Sequence, residues 1–556
     1  MIAFKIPPQH HHHHLITMIT LYFVLIACTY IQSVSCKNIN EAGIPSHHFH
    51  LAKVLQRSRW NGETINNLYD ALLHLQKAQG ALKKLDGAAY EAYQRTHDGG
   101  SSSSEDMTSV AGRVTRNAQR IGCVADAFFV CELCEILEME DETEQDLALS
   151  EQKEEFGREV VYRGKIDMDG ESDVLTPAFK VLCLFEKDYC GGAGMKHGGI
   201  DGLSKKNSQE KRGRLIIVIV DDLANDAVKS LECLDYDAYP VQISTGLVTE
   251  ISCVHKGLWL AAGKVVERIK DGLIIRSNAT TVLENDERDE NVGDSVETFD
   301  DDEDLFLPSI HFVGRSLAGG VAGLAACILD GSLPMPDPVR SRRKRKRKRK
   351  KSEITSDEIN SSITTHEDSP KTSKSPCSNV ISSLSGYGQG RSSAFIIGSP
   401  PVLSPNVRAA FVTSLIHGDD IICRTTKDSL DRLNNRMEKA LSRGMFTKNI
   451  GWVSDAVSLT MTNLKNHARG SEGEETKLSI PGTKYFVKPR RLGGACSLHH
   501  VGDISGTGAI RASVLWQLDD ILLSKSMWDH HGLDNYIQAL DRVKLRWSSK
   551  TDAEEA

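Results

Sequence analysis

Ser316 stands in the string Gly314-Arg315-Ser316-Leu317-Ala318-Gly319-Gly320. The apolar run Leu307 to Val313 precedes it and the small-residue run Ser316 to Leu329 follows it. The first pattern predicts a strand and the second a helix. A serine at such a turn shows its hydroxyl at the carboxyl end of a sheet, where a base can take its proton. Glycine at 314 and small residues at 318 and 319 let strand and helix approach closely. The backbone N–H of Leu317, at the start of the helix, would face the charge that develops on an attacked carbonyl oxygen. A tight turn holding a structural serine shows the same short string, so the local pattern leaves both readings open.

The elements that must position this serine are legible from periodicity. Leu215 to Val220, LIIVIV, is a continuous β-branched run, as in a strand buried on both faces. Gly257 to Ile274 has helical spacing, and Ala394 to Gly398 and Val412 to Ile416 are two more strand-like runs. Strands alternating with helices predict an α/β fold with a mostly parallel central sheet covered on both faces. Residues 44–97 and 108–139 read as helical, separated by the linker GGSSSSED. The segment 138–155 is acidic and reads as exposed. The stretches 284–304, acidic, and 334–390, rich in Ser, Lys and Arg, read as disordered surface insertions. The Gly/Lys/Arg-rich segment 470–499 is a candidate third one. The expected organisation is therefore a targeting segment over 1–36 and a helical N-terminal region over 37–155. The α/β domain would span 156–545, with a polar tail over 546–556.

Several separate strings, in order, resemble the class 3 (fungal-type) lipases. GRSLAGGVAGLAA is similar to their GHSLGG-type elbow and the small-residue helix after it. Upstream, His255-Lys256-Gly257 followed by Leu260-Ala261-Ala262 resembles their His-x-Gly segment opening a helix. Downstream, IIGSPPVLS resembles a strand ending in Gly-x-Pro-x-Val, and VTSLIHGDDIICR resembles the strand that runs into a catalytic aspartate. Met527-Trp528-Asp529-His530-His531, then Tyr536 to Leu540, is similar to the C-terminal Asp-His and helix of diacylglycerol lipases. The resemblance covers about residues 210–540 without the insertions and implies an α/β-hydrolase fold. It also implies a serine hydrolase of acylglycerol esters with the chain order nucleophile, acid, base.

On that resemblance Ser316 is the nucleophile and Asp420 the acid, with Asp419 its neighbouring competitor. Counting back from the helix at Tyr536 favours His531 as base, while the preceding aspartate favours His530. The histidine would accept the serine proton, the aspartate would hold its tautomer, and an acyl-serine would form and be hydrolysed by water. Three departures stand out. Arg315 replaces the usual histidine, either packing against the elbow or meeting lipid headgroups. Ala318 replaces a glycine. After the first core strand, where the family has Arg-Gly-Thr, this chain has Val220-Asp221-Asp222. The oxyanion hole would then draw on Leu317 and an N–H of Asp221 or Asp222. A carboxylate there opposes an oxyanion unless it turns away or is protonated.

Composition narrows the remaining classes. The chain has 556 residues, 40% hydrophobic, and a net charge of -8, which does not suggest a nucleic-acid binder. Lys5, a histidine run, the apolar stretch Leu15 to Ile31 and small residues before Cys36 have the layout of a signal peptide, with a signal anchor as alternative. Secretory-pathway routing, secreted or membrane-associated, follows, and Asn278 and Asn360 lie in glycosylation strings. The basic run from Arg340 to Lys351 suits anionic lipid, with nuclear targeting the alternative. The expected partners are a lipid ester and a membrane or droplet surface. Trp259, Trp516 and Trp528 are candidates for an apolar rim, although core packing is the commoner fate of such residues. The lone CxxC of Cys131 and Cys134, with Cys123 nearby, reads as core thiols or a disulfide rather than a metal site. GYGQG at 386–390 lacks a phosphate cradle's strand–helix context, and no metal or cofactor is expected.

Overall fold

The β-branched run LIIVIV is buried along its whole length, at the middle of a mixed eight-stranded sheet. The computed structural model describes residues 46–58, 60, 62–98, 107–168, 177–186, 213–234, 238–245, 248–269, 309–336, 391–442, 477–489, 496–501 and 517–555. The targeting segment, the insertion 284–304, the basic run, Trp516 and both glycosylation strings lie outside these residues, as does 334–390 beyond Pro336. No helix among the described residues is long and apolar enough to cross a membrane.

The chain divides into two compact units, residues 1–85 with 436–462, and residues 86–435 with 463–556. In the first, helix α1 (Ser46–Ser58) and helix α2 (Ile65–Asp98, which runs on past residue 85) bury Leu51, Leu55, Leu68, Leu72 and Leu75. His48 and Gln76 hydrogen bond between them at 2.9 Å.

The second unit opens with helices α3 (Met107–Glu138) and α4 (Glu142–Phe156). The Asp141 side chain caps α4 by accepting from the Thr143 N–H, and Gly157 ends it in the left-handed region. The acidic segment is thus helical, exposed on one side and burying Gln145, Leu149 and Gln152 on the other. Strands β1 (Arg158–Ile166), β2 (Phe179–Glu186) and β3 (Arg214–Asp221) then pair antiparallel. Helix α5 (Ala227–Cys233) and a separate hairpin, β4 (Ala238–Thr245) with β5 (Val248–His255), lead into helix α6 (256–269). Next come β6 (Ser309–Arg315), helix α7 (Ser316–Asp330), β7 (Ser392–Ile397) and β8 (Val412–His417). Helix α8 (Lys427–Ser442, whose residues from 436 on belong to the first unit), β9 (Thr483–Pro489), β10 (Cys496–His500) and helix α9 (Leu533–Glu555) complete the order.

The sheet order is β1-β2-β3-β6-β7-β8-β9-β10, and the consecutive pairs from β3 to β9 are parallel. A parallel centre buried on both faces explains why β3 reads as an unbroken apolar run and why Thr413 and Ser414 of β8 are buried with its apolar residues. This strand order, with a helix springing from the end of a central strand, is an α/β-hydrolase fold.

Three expectations change. Helix α3 shares one core with the sheet: Val124, Ala127, Val130, Leu133 and Cys134 pack with Ile216, Val218, Phe395 and Ile397. Composition placed a boundary after residue 155, but α3 and α4 belong to the unit that holds the sheet. The segment 470–499 is not an insertion throughout, because β9 and β10 lie in it. Tyr485, Phe486 and Val487 are buried between lysines whose charge hid the strand from a composition reading. The expected polar tail is largely the continuation of α9 to Glu555.

Candidate active site

Strand β6 delivers its chain into α7 through a turn only a few side chains wide. A Cβ on Gly314 would lie 2.7 Å from the Ala318 carbonyl oxygen, so only glycine lets strand and helix meet this closely. Ser316 has φ 56, the one positive φ of a non-glycine among the described residues. Holding a serine there costs of order 1–3 kcal/mol, which the packed strand and helix sustain.

The two other expected residues meet it. His531 Nε2 lies 3.0 Å from Ser316 Oγ, and His531 Nδ1 lies 3.0 and 3.1 Å from the two Asp420 carboxylate oxygens. All three side chains are buried. His531 ends a short 3-10 turn, Asp529–His531, that runs into α9. Asp420 follows β8, and its carboxylate also accepts from the Ile422 N–H at 3.0 Å and the Tyr536 O–H at 2.8 Å. The Cys423 thiol donates to it at 3.4 Å. Burial opposes the Asp420 charge. The neighbouring imidazole, these hydrogen bonds and the Arg424 guanidinium outweigh it and hold the carboxyl below its ordinary range. Arg424 Nε donates to Gln517 O and its Nη1 to Asp420 O, both at 2.6 Å, tying the acid loop in place.

Gly398 lies under the pair, with φ +61. A Cβ there would come within 3.1 Å of Asp420 Oδ2 and 3.5 Å of His531 Cε1.

The competing histidine is elsewhere. His530 Nδ1 accepts from the Asp419 N–H at 2.8 Å, and its ring lies 4.4 Å from that of His417. Burial and this neighbouring ring push the His417 imidazole down to about 3. Asp419 is buried beside this histidine pair, while Asp420 faces His531.

Near the expected oxyanion hole, Asp221 and Asp222 part company. The Asp222 N–H is spent on Ala178 O at 3.3 Å, and its side chain pairs with Lys165 at 3.0 Å near the surface. It is not the alternative oxyanion donor. Asp221 is buried, with Oδ1 accepting from Leu223 N at 3.0 Å and Oδ2 from Ala318 N at 3.1 Å. Helix α7 has no side-chain cap of its own from Arg315, so this carboxyl, 97 residues upstream, does the capping. Leu317 is buried at the start of the same helix. Burial raises the Asp221 carboxyl to about 6, against the pull of the Ala318 N–H, Arg315 and His531.

Arg315 is buried and does not meet headgroups. Its Nε lies 3.2 Å from Glu138 Oε1, and Nη2 donates to Ala224 O and, at 2.9 Å, to Asn225 Oδ1. The guanidinium thus fastens the elbow to the end of α3. Trp259 is buried too, donating to Pro334 O at 3.1 Å, and serves as packing rather than rim. Trp528 is partly exposed. Cys123, Cys131 and Cys134 are free thiols in the α3 core, and burial pushes Cys131 up to about 12. No cluster of potential metal ligands occurs among the described residues. Sequence reasoning missed the roles of Tyr536, Cys423 and Arg424, although each lies in a string that carried the resemblance.

No family model matches the chain, and no curated protein matches it. Among solved structures it is similar to the native Rhizomucor miehei lipase propeptide complex, at 9% identity over 72% of this chain and 78% of that chain, TM-score 0.31. It is likewise similar to Rhizomucor miehei triacylglyceride lipase, at 9% identity over 72% of this chain and 97% of that chain, TM-score 0.29.

Proposed function

We propose that the chain is a serine hydrolase that cleaves carboxylic ester bonds of acylglycerols, in the manner of a diacylglycerol lipase. The single observation that carries the reading is the His531 ring, hydrogen bonded at Nε2 to Ser316 Oγ and at Nδ1 to Asp420. In this reading His531 takes the serine proton as Oγ attacks the ester carbonyl carbon. Asp420 fixes the tautomer and stabilises the imidazolium. The imidazolium then protonates the departing alcohol, leaving an acyl-Ser316, which water hydrolyses with the same base. Ser316 is fully buried, so an ester reaches it only after what covers it moves. A lipid–water surface, which offers apolar contact to such a cover, is the proposed setting.

A fluorophosphonate probe tests this. Wild type is expected to label and to hydrolyse short-chain and diacylglycerol esters, and Ser316→Ala to lose both while keeping its fold. A folded wild type that neither labels nor hydrolyses at any pH would sink the proposal. One observation favours a second reading, a weak or inactive lipase-like binder of lipid or protein: the buried Asp221 carboxyl stands against the start of α7, in the segment where the resemblance has Arg-Gly-Thr. Failure of labelling with retained vesicle binding would favour it.

A further inference from the structure

We propose, resting on the ester-hydrolase reading above, that Arg315 is a positioning residue for the nucleophile. Its guanidinium, locked between Glu138 of α3 and the segment after β3, holds the strained Ser316 turn in the geometry from which Oγ attacks.

Ser316 has φ 56, a conformation that persists only where its surroundings over-determine it. The residues on either side supply that restraint. Ahead of it, Arg315 is the last residue of β6, with an extended backbone and a buried side chain. On one side its backbone is in register with Ile397 of β7, but the β3–β6 ladder ends at Gly314. The Arg315 side chain makes the tie on that second side, reaching Ala224 and Asn225 in the segment that follows β3. Past the nucleophile, the Asp221 carboxyl accepts from the Ala318 N–H at 3.1 Å. Residues 221–225 therefore grip the turn at 315 and at 318, on both sides of Ser316.

The grip at 315 needs a guanidinium. Nε and Nη1 face the two Glu138 carboxylate oxygens at 3.2 and 3.4 Å. Nη2 donates to Ala224 O and, at 2.9 Å, to Asn225 Oδ1. Asn225 Nδ2 closes the ring by donating to Glu138 Oε2 at 3.0 Å. The donors of the planar fork are fixed relative to one another, so these attachments hold the side chain in one orientation. A lysine is a point charge on a flexible stem and cannot span them together. Because Glu138 is the last residue of α3, that helix supplies part of the nucleophile's support. Slack at Arg315 lets the Ser316 backbone relax and carries Oγ off its line between His531 and the ester carbon. Such a displacement slows attack without changing how the ester is held.

A clamp that served stability alone would have a different signature: fewer folded molecules, each turning over at the full rate. The test compares full-length wild type, Arg315→Lys and Asn225→Ala on a soluble ester, with active sites counted by fluorophosphonate titration. Arg315→Lys keeps the charge beside Glu138 and loses the fork. Its kcat per titrated site is expected to fall about 10- to 100-fold with KM within about twofold of wild type, and its labelling rate to fall in parallel. Asn225 is exposed, so Asn225→Ala probes the same clamp outside the core; its kcat per site is expected to fall about threefold or more, again with KM held. Where Arg315→Lys does not fold, Asn225→Ala decides. Wild-type kcat per titrated site in the folded variants, or a loss confined to KM, overturns the inference and leaves the hydrolase reading standing. Absence of labelling and turnover in folded wild type overturns the hydrolase reading, and the inference with it.

Discussion

Gly398 shows how little room the Asp420–His531 pair leaves. Alanine at φ +61 costs about 1–2 kcal/mol in backbone alone, and its methyl would press on Asp420 and His531. Gly398→Ala is expected to lower kcat roughly tenfold or more with KM nearly unchanged, because it displaces the pair by tenths of an ångström. A variant with wild-type kcat would show that the pair tolerates the methyl. At this scale the chain was legible where spacing carries chemistry. Ser316, Asp420 and His531 are recognisable by type and order, and the count from Tyr536 was enough to prefer His531 over His530. The Tyr536 O–H on Asp420 and the place of Gly398 were not legible. Each depends on contact between residues more than a hundred positions apart or on a backbone angle, neither of which a local string encodes.

Among the elements, the junction between α3 and the elbow is fastened by an ion pair. Arg315 and Glu138 are both largely buried, and removing one partner leaves the other charge without compensation. Glu138→Ala is expected to lower unfolding free energy by about 3–5 kcal/mol in urea titrations, more than Glu138→Gln, which retains an acceptor. A loss below about 1 kcal/mol would mean that water reaches Arg315 and screens it. The helical spacing of Val124, Phe128, Leu133 and Leu137 announced an apolar side for α3. Periodicity says that a face is covered and not by what, so the helix was assigned to a separate N-terminal region. The same limit hid β9, whose Tyr485-Phe486-Val487 core is too short to stand out between lysines.

For the molecule as a whole, two buried carboxyls pull stability in opposite directions with pH. Asp420, held below its ordinary range, contributes stability that is present above the unfolded carboxyl pKa and lost as pH falls through its folded value. Asp221, raised from 3.8 to about 6, contributes stability that is present below the lower value and lost as pH rises through the higher. The second effect is worth on the order of 3 kcal/mol. The unfolding free energy of Asp221→Asn minus that of wild type should therefore grow by that order between pH 4 and pH 7 and then level off. A difference independent of pH in denaturant titrations would show that Asp221 ionises without cost.

The sharing of one core by α3 and the distant strands also bears on how the chain is made. The apolar side of α3 leaves the ribosome about 80 residues before Ile216 and Val218 and about 260 before Phe395 and Ile397, which complete its cover in the finished protein. At 5–20 residues per second roughly 10–50 s pass before the cover of Val124, Val130 and Leu133 is complete. A fragment begun at residue 156 would carry the complementary exposed surface on its sheet.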